Sequence, residues 1–368
     1  MLYHLLPQFS DVHIVFNLFR YLTFRAAGAV VTSLVIAFAV GPVAIRWLTR
    51  LKVGQIVRDS GPASHREKAG TPTMGGVIII MAATLSTLLW ASLTNAYTLL
   101  ALMALLWMGG IGFLDDYLKV VRRHPRGLVA RYKMVGQTLF GVALASLLLW
   151  NPISPLPTTV TSVPFFSDWQ AVFWAPVFVA FVAVVVAGTS NTVNLTDGLD
   201  GLAAGLTAIV AITFGILAYV TGRADTSRYL GLFYLPGAGE LTIFASALAG
   251  AAIGFLWYNT HPAEVFMGDT GSLALGGAIG VMAILLKAEF LLVIAGGVFV
   301  AEGLSVMLQT SWFKYTTRRY GEGRRIFRMA PIHHHFEKLG WPESKVVVRF
   351  WILGILFAML AFSTLKIR

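Results

Sequence analysis

The chain has 368 residues, of which 57% are hydrophobic and only 12% charged, with a net charge of +11 and no cysteine. A soluble domain carries about 25% charged residues, so this composition excludes an ordinary soluble fold. The absence of cysteine excludes disulfides, Fe–S clusters and thiol chemistry.

Apolar runs near the roughly 20 residues a bilayer core requires fall at about 24–45, 75–93, 97–114, 134–150, 171–189, 202–221, 240–258, 272–286, 290–311 and 346–364. They predict an all-α polytopic membrane protein of about ten transmembrane helices, one integral membrane domain over 1–368. A membrane β-barrel is excluded, because its strands would read as alternations of about ten residues. Residues 1–21 lack the basic start and apolar core of a cleavable signal peptide. The eighth run is short, and Gly276, Gly277 and Gly280 predict close helix packing there. Four prolines between 151 and 170 read as a stiff connector.

The loops 46–72, 115–133 and 312–345 hold twenty of the 28 Lys and Arg residues. The positive-inside rule therefore puts these loops in the cytoplasm and both termini outside. That one-sided distribution also removes the nucleic-acid reading of the positive charge. Loops 189–201 and 259–271 fall on the same side but contain no Lys or Arg; they carry Asp197, Asp200, Asn259, Glu264 and Asp269. Carboxylates beside excess basic residues suit a metal-bound, multiply charged anion.

In chain order, Lys68-Ala-Gly-Thr-Pro-Thr-Met-Gly-Gly76 opens the second span. Lys68, Thr71, Thr73 and the glycines can present charge, hydroxyls and N–H groups to a phosphate, or simply cap a helix; GxxxxGK[ST] is absent, so this is not a P-loop. Asp115 and Asp116 end the third span. Helical neighbours point about 100° apart, so one can reach a ligand or metal while the other caps, pairs with Lys119 or holds the loop. The macrodipole disfavours acids at a helix C-terminus, which favours function over boundary marking.

Asn191, Asn194, Asp197 and Asp200 recur in steps of three. Gly198 and Gly201 predict a break into a polar loop feeding a helix, either a capped connection or a convergent site for a cation or phosphate. Phe266-Met-Gly-Asp-Thr-Gly-Ser272 places Asp269 near a helix N-terminus, as an anion-attracting site or a common Asp N-cap. Pro331-Ile-His-His-His-Phe-Glu337 sits in the most basic loop. Three consecutive His point in different directions and no HExxH follows, so anion contact or proton transfer is favoured over zinc.

Together, Gly70–Gly76, Gly112–Tyr117, Asn191–Gly201, Phe266–Ser272 and Pro331–Glu337 stand in an order and on a face that resemble the polyprenyl-phosphate N-acetylhexosamine-1-phosphate transferase family. The His-His-His-Phe-Glu form resembles its muramoyl-pentapeptide branch more than relatives that use UDP-N-acetylglucosamine. The resemblance implies a bacterial cytoplasmic-membrane enzyme with its active site facing the cytoplasm. It implies transfer of phospho-N-acetylmuramoyl-pentapeptide from UDP-MurNAc-pentapeptide to undecaprenyl phosphate, with Mg²⁺, and a possible homodimer. It implies Asp269 as the Mg²⁺ ligand, Asp115 orienting or deprotonating the lipid phosphate, Asp116 and Asp197 in support, and His333 in the catalytic set; a covalent carboxylate nucleophile stays open. Lys68, Leu199, Asp200, Asn259 and Phe266 match positions expected around the uridine moiety. Thr73, Asn194, His333 and His334 match the diphosphate and sugar side, Asn191 is a further substrate-binding position, and Lys119 and Lys133 face anionic substrate or lipid. Rivals from other classes are a secondary transporter and a non-catalytic membrane scaffold; transporters usually place ionisable groups near the midplane, whereas here they cluster at span ends.

Overall fold

The computed structural model describes residues 1–50, 70–122, 124, 127–166 and 169–365. Eleven helices carry the architecture among them: α1 Leu22–Arg50, α2 Gly76–Trp90, α3 Ala96–Val120, α4 Ala130–Trp150, α5 Ala175–Thr196, α6 Leu202–Thr221, α7 Leu241–Asn259, α8 Gly268–Leu285, α9 Glu289–Ala295, α10 Gly297–Tyr320 and α11 Glu343–Thr364. Eight of these are long and apolar enough to cross a membrane, and α9 with α10 makes a ninth if the pair is one span.

Two of the ten expected spans differ from a single full-length helix. Helix α2 has 15 residues, about 22 Å at 1.5 Å per residue, short for a bilayer core of about 30 Å. The ninth run is broken at Gly296 and Gly297, where α10 turns 86° from α9. Consecutive glycines supply little side-chain packing and low helix propensity, which allows the break.

Helix α8 is the centre of the molecule, and every residue from Thr270 to Leu285 is buried. It packs on α3, α5, α2 and α6. Its glycines permit this, as expected: a Cβ at Gly277 would lie 2.4 Å from Met108 Cγ, and one at Gly276 would lie 2.5 Å from the Thr189 carbonyl oxygen. A second layer is formed by α7 against α1 and α6. The outer faces of the bundle carry exposed Val31, Val35, Met103, Leu106, Ile352 and Leu356, which suit lipid rather than water. Trp150 and Trp174 near one end, and Trp47 and Trp257 near the other, are exposed where amphipathic rings favour membrane–water boundaries.

The connector after α4 is more ordered than its prolines suggest. Val160–Ser162 pairs antiparallel with Gln170–Val172, so α5 begins at 175, later than the expected 171. The hairpin is fastened because the Thr161 and Ser162 hydroxyls donate to the Lys287 carbonyl, while the Lys287 ammonium donates to the carbonyls of Pro157, Thr158 and Val160.

Candidate active site

The ends of α3 and α5, the starts of α4 and α8, and the segment before α2 meet at one end of the bundle, opposite the hairpin. Helix α3 runs on to Val120, so Asp115 and Asp116 lie inside it rather than at its terminus. Both are buried, and their divergence on the helix gives them different partners, as expected. Asp115 accepts from Lys119 Nζ at 2.6 Å, one helical turn on, from Lys133 Nζ at 3.0 Å, and from the Leu128 N–H at 2.6 Å. Asp116 accepts from the Asp269 N–H at 3.2 Å, the Thr270 N–H at 2.8 Å and the Thr270 hydroxyl at 2.7 Å. It caps the first turn of α8, whose own N-cap residue, Met267, has no side-chain cap.

With its helix capped from α3, Asp269 does not spend its side chain on an N-cap. Its Oδ2 accepts from Lys119 and Lys133, each at 3.0 Å, and its Oδ1 accepts from Asn194 at 2.8 Å. Two ammonium groups therefore bridge two carboxylates. Oxygens of Asp115, Asp116 and Asp269 lie within 4.8 Å of one another, a hard-oxygen donor set suited to a divalent cation such as Mg²⁺. The Asp115 side chain has no exposure, whereas Lys119 and Lys133 keep 36% and 20%. The lysines can therefore meet an incoming anion while the acids hold them in place.

The segment before α2 is laced to the start of α8. Phe266 N–H donates to the Pro72 carbonyl, Gly75 N–H to that of Phe266, and Gly76 N–H to that of Met267. Gly268 has φ +73°, and a Cβ there would sit 2.6 Å from Asp116 Oδ2 and 2.9 Å from Thr73 Oγ1. This brings Thr73 beside the carboxylates, while Phe266 is half-buried on the same strap. Lys68 lies outside the described residues.

Asn191 and Asn194 ride on the last turns of α5, because the break falls after Thr196 rather than earlier. Asn194 also donates to Ser272 Oγ at 2.8 Å, tying α5 to α8. Asn191 lies a turn back and donates to Gln137 Oε1 and the Ala187 carbonyl, each at 2.7 Å; it braces α5 against α4 instead of joining the carboxylates. Asp197 ends α5 just outside the spanning segment. Burial, with Asp269, Asp116 and Asp200 nearby, pushes its carboxyl up to about 8.

Asp200 faces away from this cluster. Its Oδ2 accepts from the Ala263 N–H and lies 3.1 Å from His261 Nδ1, and its N–H donates to Glu343. Asp200, His261 and Glu343 bring ligand atoms within 4.8 Å of one another, a grouping not found from sequence because the three lie in separate segments of the chain. Asn259 is buried, accepting from the Gly201 N–H and donating to the Val265 carbonyl, and Leu199, next to Asp200 in the chain, is also buried. The three histidines do point apart. His333 is fully buried with Nδ1 3.1 Å from Glu302, His334 pairs with Glu337 at 2.6 Å, and His335 accepts from the Arg328 N–H.

Comparison with known proteins fits this arrangement. The sequence profile of glycosyl transferase family 4 matches residues 97–287, and the first phospho-N-acetylmuramoyl-pentapeptide-transferase signature matches residues 68–80. Similar proteins include the phospho-N-acetylmuramoyl-pentapeptide-transferases of Gemmatimonas aurantiaca, 56% identical over 381 residues, and Desulfatibacillum aliphaticivorans, 51% identical over 368 residues. That of Thermodesulfovibrio yellowstonii is 49% identical over 371 residues, and in all three alignments both chains are covered in full. The chain belongs to the phospho-N-acetylmuramoyl-pentapeptide-transferase family. Within that family's signature, the described part of residues 68–80 is the Thr73 strap and the start of α2, and the broader profile spans Asp115, Asp116, Asp197 and Asp269.

Proposed function

We infer that the chain transfers phospho-N-acetylmuramoyl-pentapeptide from its UDP conjugate to undecaprenyl phosphate, giving lipid I and UMP. An oxygen of the lipid phosphate forms a bond to the sugar-bearing phosphorus, and the bond from that phosphorus to the UMP oxygen breaks. The carrying observation is the pair of partly exposed lysines whose ammonium groups are held between Asp115 and Asp269. Phosphoryl transfer depends mainly on positioning and charge neutralisation, and these lysines are fixed where two anionic substrates would meet.

Mg²⁺ fits the three clustered carboxylates, with Asp269 the favoured ligand because it stands at the solvent-reachable edge. When bound, the ion would neutralise diphosphate charge, and the chain's own groups orient the reactants. Asp115 holds Lys119 and Lys133, Asn194 orients Asp269, and Asp116 fixes the first turn of α8. Thr73 is placed to offer a hydroxyl to the diphosphate. Phe266, Leu199, Asp200 and Asn259 form the nucleotide side, with Asp200 and Asn259 shaping its backbone through the contacts above. Incubating the purified protein with UDP-MurNAc-pentapeptide or UDP-N-acetylglucosamine, each with undecaprenyl phosphate, tests the reading. UMP appears with the first only; release from the second alone would overturn it.

The site faces the cytoplasm and both termini face outside, a reading supported by the one-sided Lys and Arg distribution. A chain without cysteine gives a clean labelling test. A membrane-impermeant maleimide is expected to label Asp11→Cys in intact spheroplasts, and Tyr320→Cys only after permeabilisation. The reverse pattern would invert the topology.

A further inference from the structure

We propose that Glu302 is a positioning residue of this transferase site, acting through His333 on the Asp197–Gly198 turn. The proposal rests on the transferase reading above. Glu302 lies in α10, is fully buried, and comes from an apolar run where a carboxylate is costly. Its Oε1 lies 3.1 Å from His333 Nδ1, and His333 is equally buried. Among the described residues, neither oxygen of Glu302 and neither ring nitrogen of His333 has a well-aligned hydrogen bond to anything else. Each is thus the other's polar neighbour, in a place where an isolated polar group is strongly disfavoured.

The far edge of the imidazole meets the site. A Cβ at Gly198 would lie 2.3 Å from His333 Nε2 and 2.9 Å from Cε1. Gly198 directly follows Asp197, the carboxylate that shares its surroundings with Asp269 and Asp116. Beside Glu302, Gly303 brings α10 against α5, where a Cβ would lie 2.6 Å from Thr192 Cγ2. Glu302 and His333, both buried, and Gly198 therefore form a line from α10 to the turn that presents Asp197. A carboxylate facing Nδ1 fixes the tautomer and ring plane of a histidine, as it does for histidines that ligate metals. Here it turns Nε2 toward the turn, and the ring becomes the turn's back wall.

In full-length protein in detergent, Glu302→Gln is expected to keep KM for the UDP substrate within about threefold while kcat falls about 10–100-fold, the usual size of an outer-shell effect. Glu302→Asp keeps the charge and is expected to retain more kcat than Glu302→Gln. Because the effect runs through His333, adding Glu302→Gln to His333→Gln costs less than about threefold further. Gly198→Ala disturbs the other end of the line and is expected to show the same kcat loss with KM kept. It also supplies the answer if Glu302→Gln fails to fold. Wild-type kcat in either folded single variant, or fully additive losses in the double variant, would overturn the proposal. Wild-type protein that releases no UMP would instead overturn the transferase reading.

Discussion

Asp269→Asn is expected to reduce UMP release by about a thousandfold or more while the protein stays folded. Asparagine keeps the size of the side chain and can still accept from Asn194, but it removes the charge to which Lys119 and Lys133 are both bound. With Asp115 alone holding them, the two ammonium groups lose their shared anchor at the solvent edge, where the diphosphate must be met. Losing a single preorganised electrostatic contact costs about 10²–10³ in turnover. Asp269 combines that role with its proposed place as the metal ligand, so the upper end is expected. Its side chain keeps 16% exposure, so the fold depends on it less than on Asp115. Turnover and thermal unfolding measured on the same preparation check both halves. A variant retaining a tenth of wild-type turnover would remove Asp269 from the centre of the site.

Much of this site was legible in the sequence, and the reasons are physical. Apolar runs mark helices because a bilayer tolerates few other backbones, and ten runs match helical segments even though α2 is short and the ninth breaks. The separate fates of Asp115 and Asp116 follow from helical geometry alone. What the sequence hid is pairing between segments. Lys119 and Lys133 were visible as charges, but their convergence on two carboxylates depends on how α3, α4 and α8 meet. The backbone contacts of Asp200 and Asn259, which tie separate segments together, had no signal in the sequence. Glu302 did leave a signal, a lone acid within an apolar run, and the cost of burying it was reason to ask for its partner. The partner, His333, lies 31 positions away in the short helix Ile332–Glu337, and no local pattern links the two.

The second large effect is expected at a residue with no functional group. Gly112 on α3 faces the first turn of α8, and a Cβ there would lie 2.1 Å from the Asp269 carbonyl oxygen, 2.5 Å from its carbon and 2.7 Å from Thr270 Cα. All three are backbone atoms, so no rotamer change relieves the clash. Nor can α8 retreat, because a Cβ on Gly76 would already lie 2.1 Å from the Gly271 nitrogen, and α5 closes in at Gly276. Gly112→Ala must therefore separate α3 from α8 at the level of Asp115, Asp116 and Asp269. Overpacking of this kind costs about 1–3 kcal/mol, and displacing reacting groups by about 1 Å costs about 10²-fold in rate. The variant is expected to melt lower and to turn over about a hundredfold more slowly. Gly110, two residues before it, has nothing within 4 Å of the corresponding position, so Gly110→Ala should match wild type in both measurements. If Gly112→Ala also matched wild type, the close approach of α3 and α8 would not be what aligns the carboxylates.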